Sequence, residues 1–154
     1  MHDMPEIKPG QSIDLLKEPQ ILTRDAKLNQ YSRRKLKQIY HLYQFIEPLL
    51  QEVQKDSPAI QLVDHGAGKS YLGFILYDLF FKTLNNESHI YGIEAREELV
   101  SKSRNLAAKL NFPGMSFLHL SVAESMVSDR LPDKVDVVTA LHACDTATDD
   151  AIHF

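Results

Sequence analysis

The sequence predicts an α/β protein in which short buried strands alternate with helices along a parallel sheet. Three observations carry that expectation. Apolar runs recur through the chain after Pro58, as IQLVD, HIYGIE, MSFLHL and VDVVTALH. The segments that follow the first and second of these runs carry apolar residues at three- and four-residue steps, the period of a helix with one buried face. The first run leads directly into a glycine loop, VDHGAGKSYLG, at Val63 to Gly73.

Taken in order, residues 1–22 contain Pro5, Pro9, Gly10 and Pro19 without a sustained period, which predicts an irregular or mobile leader. Residues 23–57 read as a helical lead-in, with Leu36, Ile39, Tyr40, Tyr43, Ile46, Leu50 and Val53 on one face. Pro48 lacks an amide donor and crowds the preceding turn, so a kink or a break into two helices is expected near Glu47. The main domain is expected over residues 58–154. IQLVD forms its first strand, and the next helix places Tyr71, Leu72, Ile75, Leu76, Leu79 and Phe80 on its apolar side before Asn85 and Asn86 close it. The second strand runs from His89 to Glu94. The helix after it carries Leu99, Val100, Ser103, Leu106, Ala107 and Leu110 and is expected to stop at Pro113 and Gly114. The third strand spans Met115 to Leu120 and the fourth Val135 to His142, with Asp149 and Asp150 early in a last helix.

Composition narrows the class. A chain of 154 residues, 44% hydrophobic and 25% charged, is an ordinary globular protein with room for one core. No apolar run is long enough to span a bilayer and the start lacks a signal-peptide pattern, so a cytoplasmic location and no membrane contact are expected. Cys144 is the single cysteine, which excludes an internal disulfide and offers no zinc spacing; no metal is expected. The net charge of −4 argues against a basic surface throughout, but Arg24 to Lys37 holds six cations against Asp25 alone. That segment is either a solvated helix face or a surface for phosphates, RNA or an acidic protein, with Arg33, Arg34 and Lys35 at its centre.

The glycine loop suggests several ligands. A P-loop requires a further glycine where this chain has Val63, and no strand ends in paired acids, which argues against ATP or GTP. A dinucleotide fingerprint requires a third glycine where this chain has Tyr71. A strand ending in Asp64, glycines at positions 66 and 68, and a second strand ending in Glu94 remain. A carboxylate at the end of the second strand accepts both hydroxyls of a ribose, and an adenosine ligand without a pyrophosphate fits this pattern: S-adenosylmethionine. A plain strand-to-helix turn is the alternative.

VDHGAGKSYLGF, YGIEAREELVSKSRNLAAKL and VDVVTALHACDTATDDAI resemble the class I S-adenosylmethionine-dependent methyltransferases, in particular a methyltransferase-domain group whose fourth strand ends in an ALHAC-type motif. LTRDAKLNQYSRRKLKQIYHLYQFIEPLL resembles the helical lead-in of bacterial members. The resemblance runs from about residue 20 to the end. It implies a Rossmann-like class I methyltransferase fold and S-adenosyl-L-methionine as cofactor. Asp64, Gly66, Ala67 and Gly68 would form the first cofactor motif, and Glu94 would hold the ribose. Val122 and Ala123 would meet the adenine through their backbone, with Glu124 as an alternative acid there. Leu141 and His142 would line the methyl-transfer side. Ser70 stands where many members have a third glycine. His142 is a candidate proton acceptor or a pocket-shaping residue. Cys144 lacks the Pro-Cys context of pyrimidine methyltransferases and reads as a structural thiol. The Asn/Asp-Pro-Pro-aromatic loop of many amino-group methyltransferases is absent, so base amino groups are not the first choice of acceptor.

Class I methyltransferases resemble one another in a seven-strand order, 3-2-1-4-5-7-6, of which this sequence supplies the first four. The expectation is therefore an N-terminal portion of the domain, truncated after the fourth strand, with that strand as an exposed edge open to self-association. Three functions follow: a methyltransferase of unknown acceptor, with RNA or protein in view; a noncatalytic adenosine-cofactor-binding module; and an RNA- or partner-binding protein derived from a methyltransferase.

Overall fold

The computed structural model describes residues 11–12, 15–16, 30–67, 72–84 and 87–140. Helix α1 spans Gln30–Asp56 and is followed by strand β1, Gln61–His65. Helix α2, Leu72–Leu79, leads through a 3-10 turn at Phe81–Thr83 to strand β2, His89–Glu94. Helix α3, Glu97–Leu110, precedes strand β3, Met115–His119, and the one-turn helix α4, Val122–Ser125, precedes strand β4, Val137–Thr139. The four strands form one parallel sheet in the order β3-β2-β1-β4. Among the described residues no helix is long and apolar enough to cross a membrane.

The alternation expected of half-buried strands decides which side of the sheet each residue serves. Leu62, Ile90, Met115 and Phe117 join α1, α2 and α3 in the main core, which includes Tyr43, Leu50, Ile75, Leu76, Val100 and Leu106. Val63 and Ile93 point the other way, into a smaller cluster with Leu131. Helix α2 lies deep, with every residue from Leu72 to Asp78 buried. That matches its run of apolar residues, unrelieved by polar positions until Asp78. The buried Asp78 side chain is answered by Lys82 Nζ at 2.6 Å and by the Ser12 amide at 2.8 Å.

Several expectations change, and β4 begins at Val137 rather than at Val135, because Asp136 is turned to bind the Ser57 hydroxyl and the Gln61 amide. Helix α1 does not divide at Pro48: the proline sits inside one continuous helix, on its exposed side. There the ring faces water, and the carbonyl that loses its helical donor can be hydrated. Buried Tyr43 and Leu50 grip the core on either side, and Tyr43 Oη donates to Leu79 O at 3.3 Å. The leader, expected to be irregular or mobile, is anchored where it is described. Leu15 and Leu16 are fully buried, and Gln11 accepts a hydrogen bond from Tyr40 Oη. Helix α3 ends earlier than Pro113, because Asn111 adopts the left-handed conformation at φ 57° and its amide closes on Ala107 and Ala108.

The sheet margins are tied by polar contacts. Asp136 accepts from Ser57 Oγ and from the Gln61 amide, both at 2.8 Å, which fixes the end of α1 and the starts of β1 and β4 together. On the opposite margin, Arg104 Nε and Nη2 both donate to Phe117 O of β3, at 3.0 and 2.7 Å.

Candidate cofactor-binding site

The site is built at the carboxyl ends of β1 and β2, where parallel strands release the chain toward their helices. The register pairs Asp64 with Gly92 and His65 with Ile93, so Gly66 and Glu94 leave the sheet side by side. Gly66 turns at once: its φ is 68°, in the left-handed region that an L side chain resists, while its amide donates to Ile93 O at 2.8 Å. Asp64, Gly92 and Glu94 share the sheet face that carries α2. Ala67 is buried against that face.

A methyl carbon placed on Gly92 would stand 2.5 Å from Phe117 Cδ1 and 3.1 Å from Ala67 Cβ. The glycine inside β2 thus lets the loop after β1 settle onto the sheet beside the Phe117 ring, itself stacked on Phe74 at 5.3 Å.

Both acids are buried and acceptor-rich. Asp64 is 2% exposed and accepts from Thr139 Oγ1 of β4 at 2.7 Å. Glu94 is 4% exposed. Its Oε2 accepts from the Arg96 amide at 2.9 Å and from Arg96 Nε at 2.8 Å, while Oε1 accepts from Nη2 at 3.1 Å. That hydrogen bonding raises the guanidinium pKa further, so Arg96 is always charged. The backbone around it is braced: His119 Nε2 donates to Ala95 O at 3.0 Å, and the Leu120 amide donates to Glu94 O at 3.1 Å. His65 is wholly buried, and burial lowers its imidazole pKa, which keeps the ring neutral at physiological pH.

Of the residues singled out in the sequence, Asp64, Gly66, Ala67 and Glu94 come together at the two strand ends. Val122 and Ala123 follow β3 as the first residues of α4, with Val122 half-buried and Ala123 exposed. Glu124 turns back to cap that helix: its Oε1 accepts from the Ser121 amide at 2.8 Å, and Ser121 Oγ accepts from the Glu124 amide at 3.0 Å. Gly68, Ser70, Leu141, His142 and Cys144 lie outside the described residues. Sequence reasoning missed Gly92, Arg96 and Thr139. A glycine inside a strand pattern, as in HIYGIE, signals close approach and could have drawn attention to Gly92.

Open grooves of 470 and 600 Å³ border α3, one along β3 and one reaching Tyr77 and His89 at the amino-terminal ends of the strands. Neither is lined by Asp64 or Glu94.

A family model described as a methyltransferase domain matches residues 34–154. The chain belongs to this methyltransferase-domain family. No curated protein matches the sequence significantly. The methyltransferase domain is similar to a solved structure of magnesium protoporphyrin IX methyltransferase from Synechocystis PCC 6803 with bound S-adenosylhomocysteine. The TM-score is 0.52 at 17% identity, covering 84% of this chain and 52% of that one. Against the same enzyme with bound S-adenosylmethionine the TM-score is 0.49 at 16% identity, covering 92% of this chain and 64% of that one. The chain thus spans about half the length of the first of these structures. Its parallel order β3-β2-β1-β4 is that of a Rossmann-like class I methyltransferase fold.

Proposed function

We propose that the chain binds S-adenosyl-L-methionine at the carboxyl ends of β1 and β2 and serves a methyl-transfer reaction. The observation that carries this reading is Glu94, a buried carboxylate at the end of β2, set beside Gly66 in its left-handed turn. A carboxylate only accepts hydrogen bonds, and the adjacent hydroxyls of a ribose supply two donors at the spacing of its two oxygens. This acceptor pair thus fits the nucleoside half of the cofactor. Asp64, fixed by Thr139, is the acceptor toward the amino-acid half, directly or through water. Val122 and Ala123 offer backbone toward the adenine.

When bound, the cofactor supplies an already activated methyl group. The residues of the chain then bind, orient and exclude water, and these are the contributions that bring a nucleophile into line. His142 is assigned to the proton released by the acceptor, and Leu141 to the wall beside the methyl group. RNA is the acceptor class we favour, with Arg33, Arg34 and Lys35 on α1 as its contact. Of these, Arg34 is exposed and Arg33 half-buried, and the Lys35 side chain falls outside the described set. A cytoplasmic setting and self-association along β4 complete the proposal.

Calorimetric titration with S-adenosylhomocysteine tests the cofactor site. Micromolar binding that disappears in Glu94→Ala supports it. A folded wild-type chain that binds nothing overturns it.

A further inference from the structure

We propose that Arg96 is a displaceable latch on Glu94, holding the two carboxylate oxygens in the free protein so that a nucleoside ribose binds by taking the place of the guanidinium. The inference rests on the reading of Glu94 as the ribose acceptor and adds what controls access to it.

The geometry separates a fixed partner from a movable one. The Glu94 side chain is 5% exposed, whereas that of Arg96 is 49% exposed. The guanidinium can therefore swing into water while the carboxylate stays in place. The Arg96 backbone has no need to follow, because Arg96 is the N-cap of α3 and its carbonyl accepts from the amides of Leu99 and Val100, both at 3.1 Å. Exchange is confined to side-chain rotation.

The hydrogen bonds that Arg96 makes also permit exchange. Nε and Nη2 leave, one from each oxygen, and two ribose hydroxyls can replace them. The Arg96 amide remains on Oε2 at 2.9 Å throughout, so the carboxylate keeps a donor during the change. Two neighbouring acids, Glu97 and Glu98, lie in the first turn of α3 and can receive the released cation. The latch keeps a buried anion compensated while the site is empty, at the cost of competing with the ligand.

The test is calorimetric titration of S-adenosylhomocysteine into the full chain, wild type and Arg96→Ala, at low and high salt, with circular dichroism confirming the fold. The expected result is binding roughly three- to tenfold tighter in Arg96→Ala, the scale of a partly exposed ion pair. Salt screens the ion pair in the free protein, so wild-type affinity should rise with ionic strength while that of the variant stays flat. Equal or weaker binding by Arg96→Ala, with wild type binding, overturns the latch and leaves the ribose-acceptor reading intact. Absence of binding by every variant overturns both. Should Arg96→Ala fail to fold, Arg96→Lys, which keeps the charge but loses the two-pronged grip, must bind more tightly than wild type; equal or weaker binding sinks the latch.

Discussion

Thr139 Oγ1 donates a hydrogen bond of 2.7 Å to Asp64 Oδ1, joining β4 to the last turn-out of β1 through two side chains that neighbour each other in the sheet. The carboxylate is almost wholly buried, so this donor matters more than one at the surface. Thr139→Val keeps the shape and removes the hydroxyl. It should lower stability by about 1–3 kcal/mol. A urea midpoint that falls with unchanged slope would agree, and an unmoved midpoint would show that Asp64 finds equivalent donors without Thr139.

Gly92→Ala should cost about 1–3 kcal/mol, because the new methyl must displace the Phe117 ring or lift Ala67. Phe117 is held by its stack on Phe74, so the loop after β1 takes part of the strain. Thermal unfolding and S-adenosylhomocysteine titration together decide the matter. Both midpoint and affinity should drop, and a loss of midpoint alone would show that the ring moves and the loop does not.

Mild acid should weaken the fold before carboxylates begin to titrate. Burial lowers the imidazole pKa of both His65 and His89 from the ordinary 6.5. Below that pH the unfolded chain binds more protons than the folded one. Stability from the neutral rings is thus complete above about pH 6.5 and falls as the pH drops toward their folded values. The urea midpoint should decline as the pH falls below about 6.5 in the wild type, and less steeply in a His65→Leu, His89→Gln chain. Equal slopes would refute the assignment.

Asp136 also loses its contribution in acid, but as a charged group and at a lower pH. Burial pushes its carboxyl up, but the Gln61 amide, the Ser57 hydroxyl and the Lys134 ammonium outweigh that and leave the pKa below the usual 3.8. Its stabilisation is present above the unfolded value and lost as the pH falls through the folded one. Asp136→Ala should therefore cost about 1–3 kcal/mol near neutrality, with the gap from wild type closing in strong acid. Unfolding measured at both pH values checks it, and a gap that is unchanged in acid would contradict the charge-based account.

The periodic elements were legible because periodicity reports burial directly. HIYGIE gave β2 to the residue, and the helical steps from Leu99 to Leu110 gave α3. What escaped depends on directions that a linear pattern does not carry. Pro48 is tolerated because it falls on the outer side of α1. Leu15 and Leu16 are adjacent leucines among prolines, with no period to mark them as core. Asp64, Gly66 and Glu94 could be read from strand ends, but the grip of Arg96 on Glu94 depends on how the chain bends at Ala95. Thr139 reaches Asp64 only through the β1–β4 register, which pairs residues 75 positions apart.

The double donation from Arg104 to the Phe117 carbonyl has a consequence for how the sheet is bounded. Phe117 belongs to β3, the last strand on its side among the described residues, and an incoming strand would need that carbonyl as an acceptor. With both guanidinium donors already there, a newcomer must displace a cation before it can use that carbonyl. Growth of the sheet past β3 is therefore disfavoured at the middle of the strand, where an acceptor that a newcomer needs is already taken.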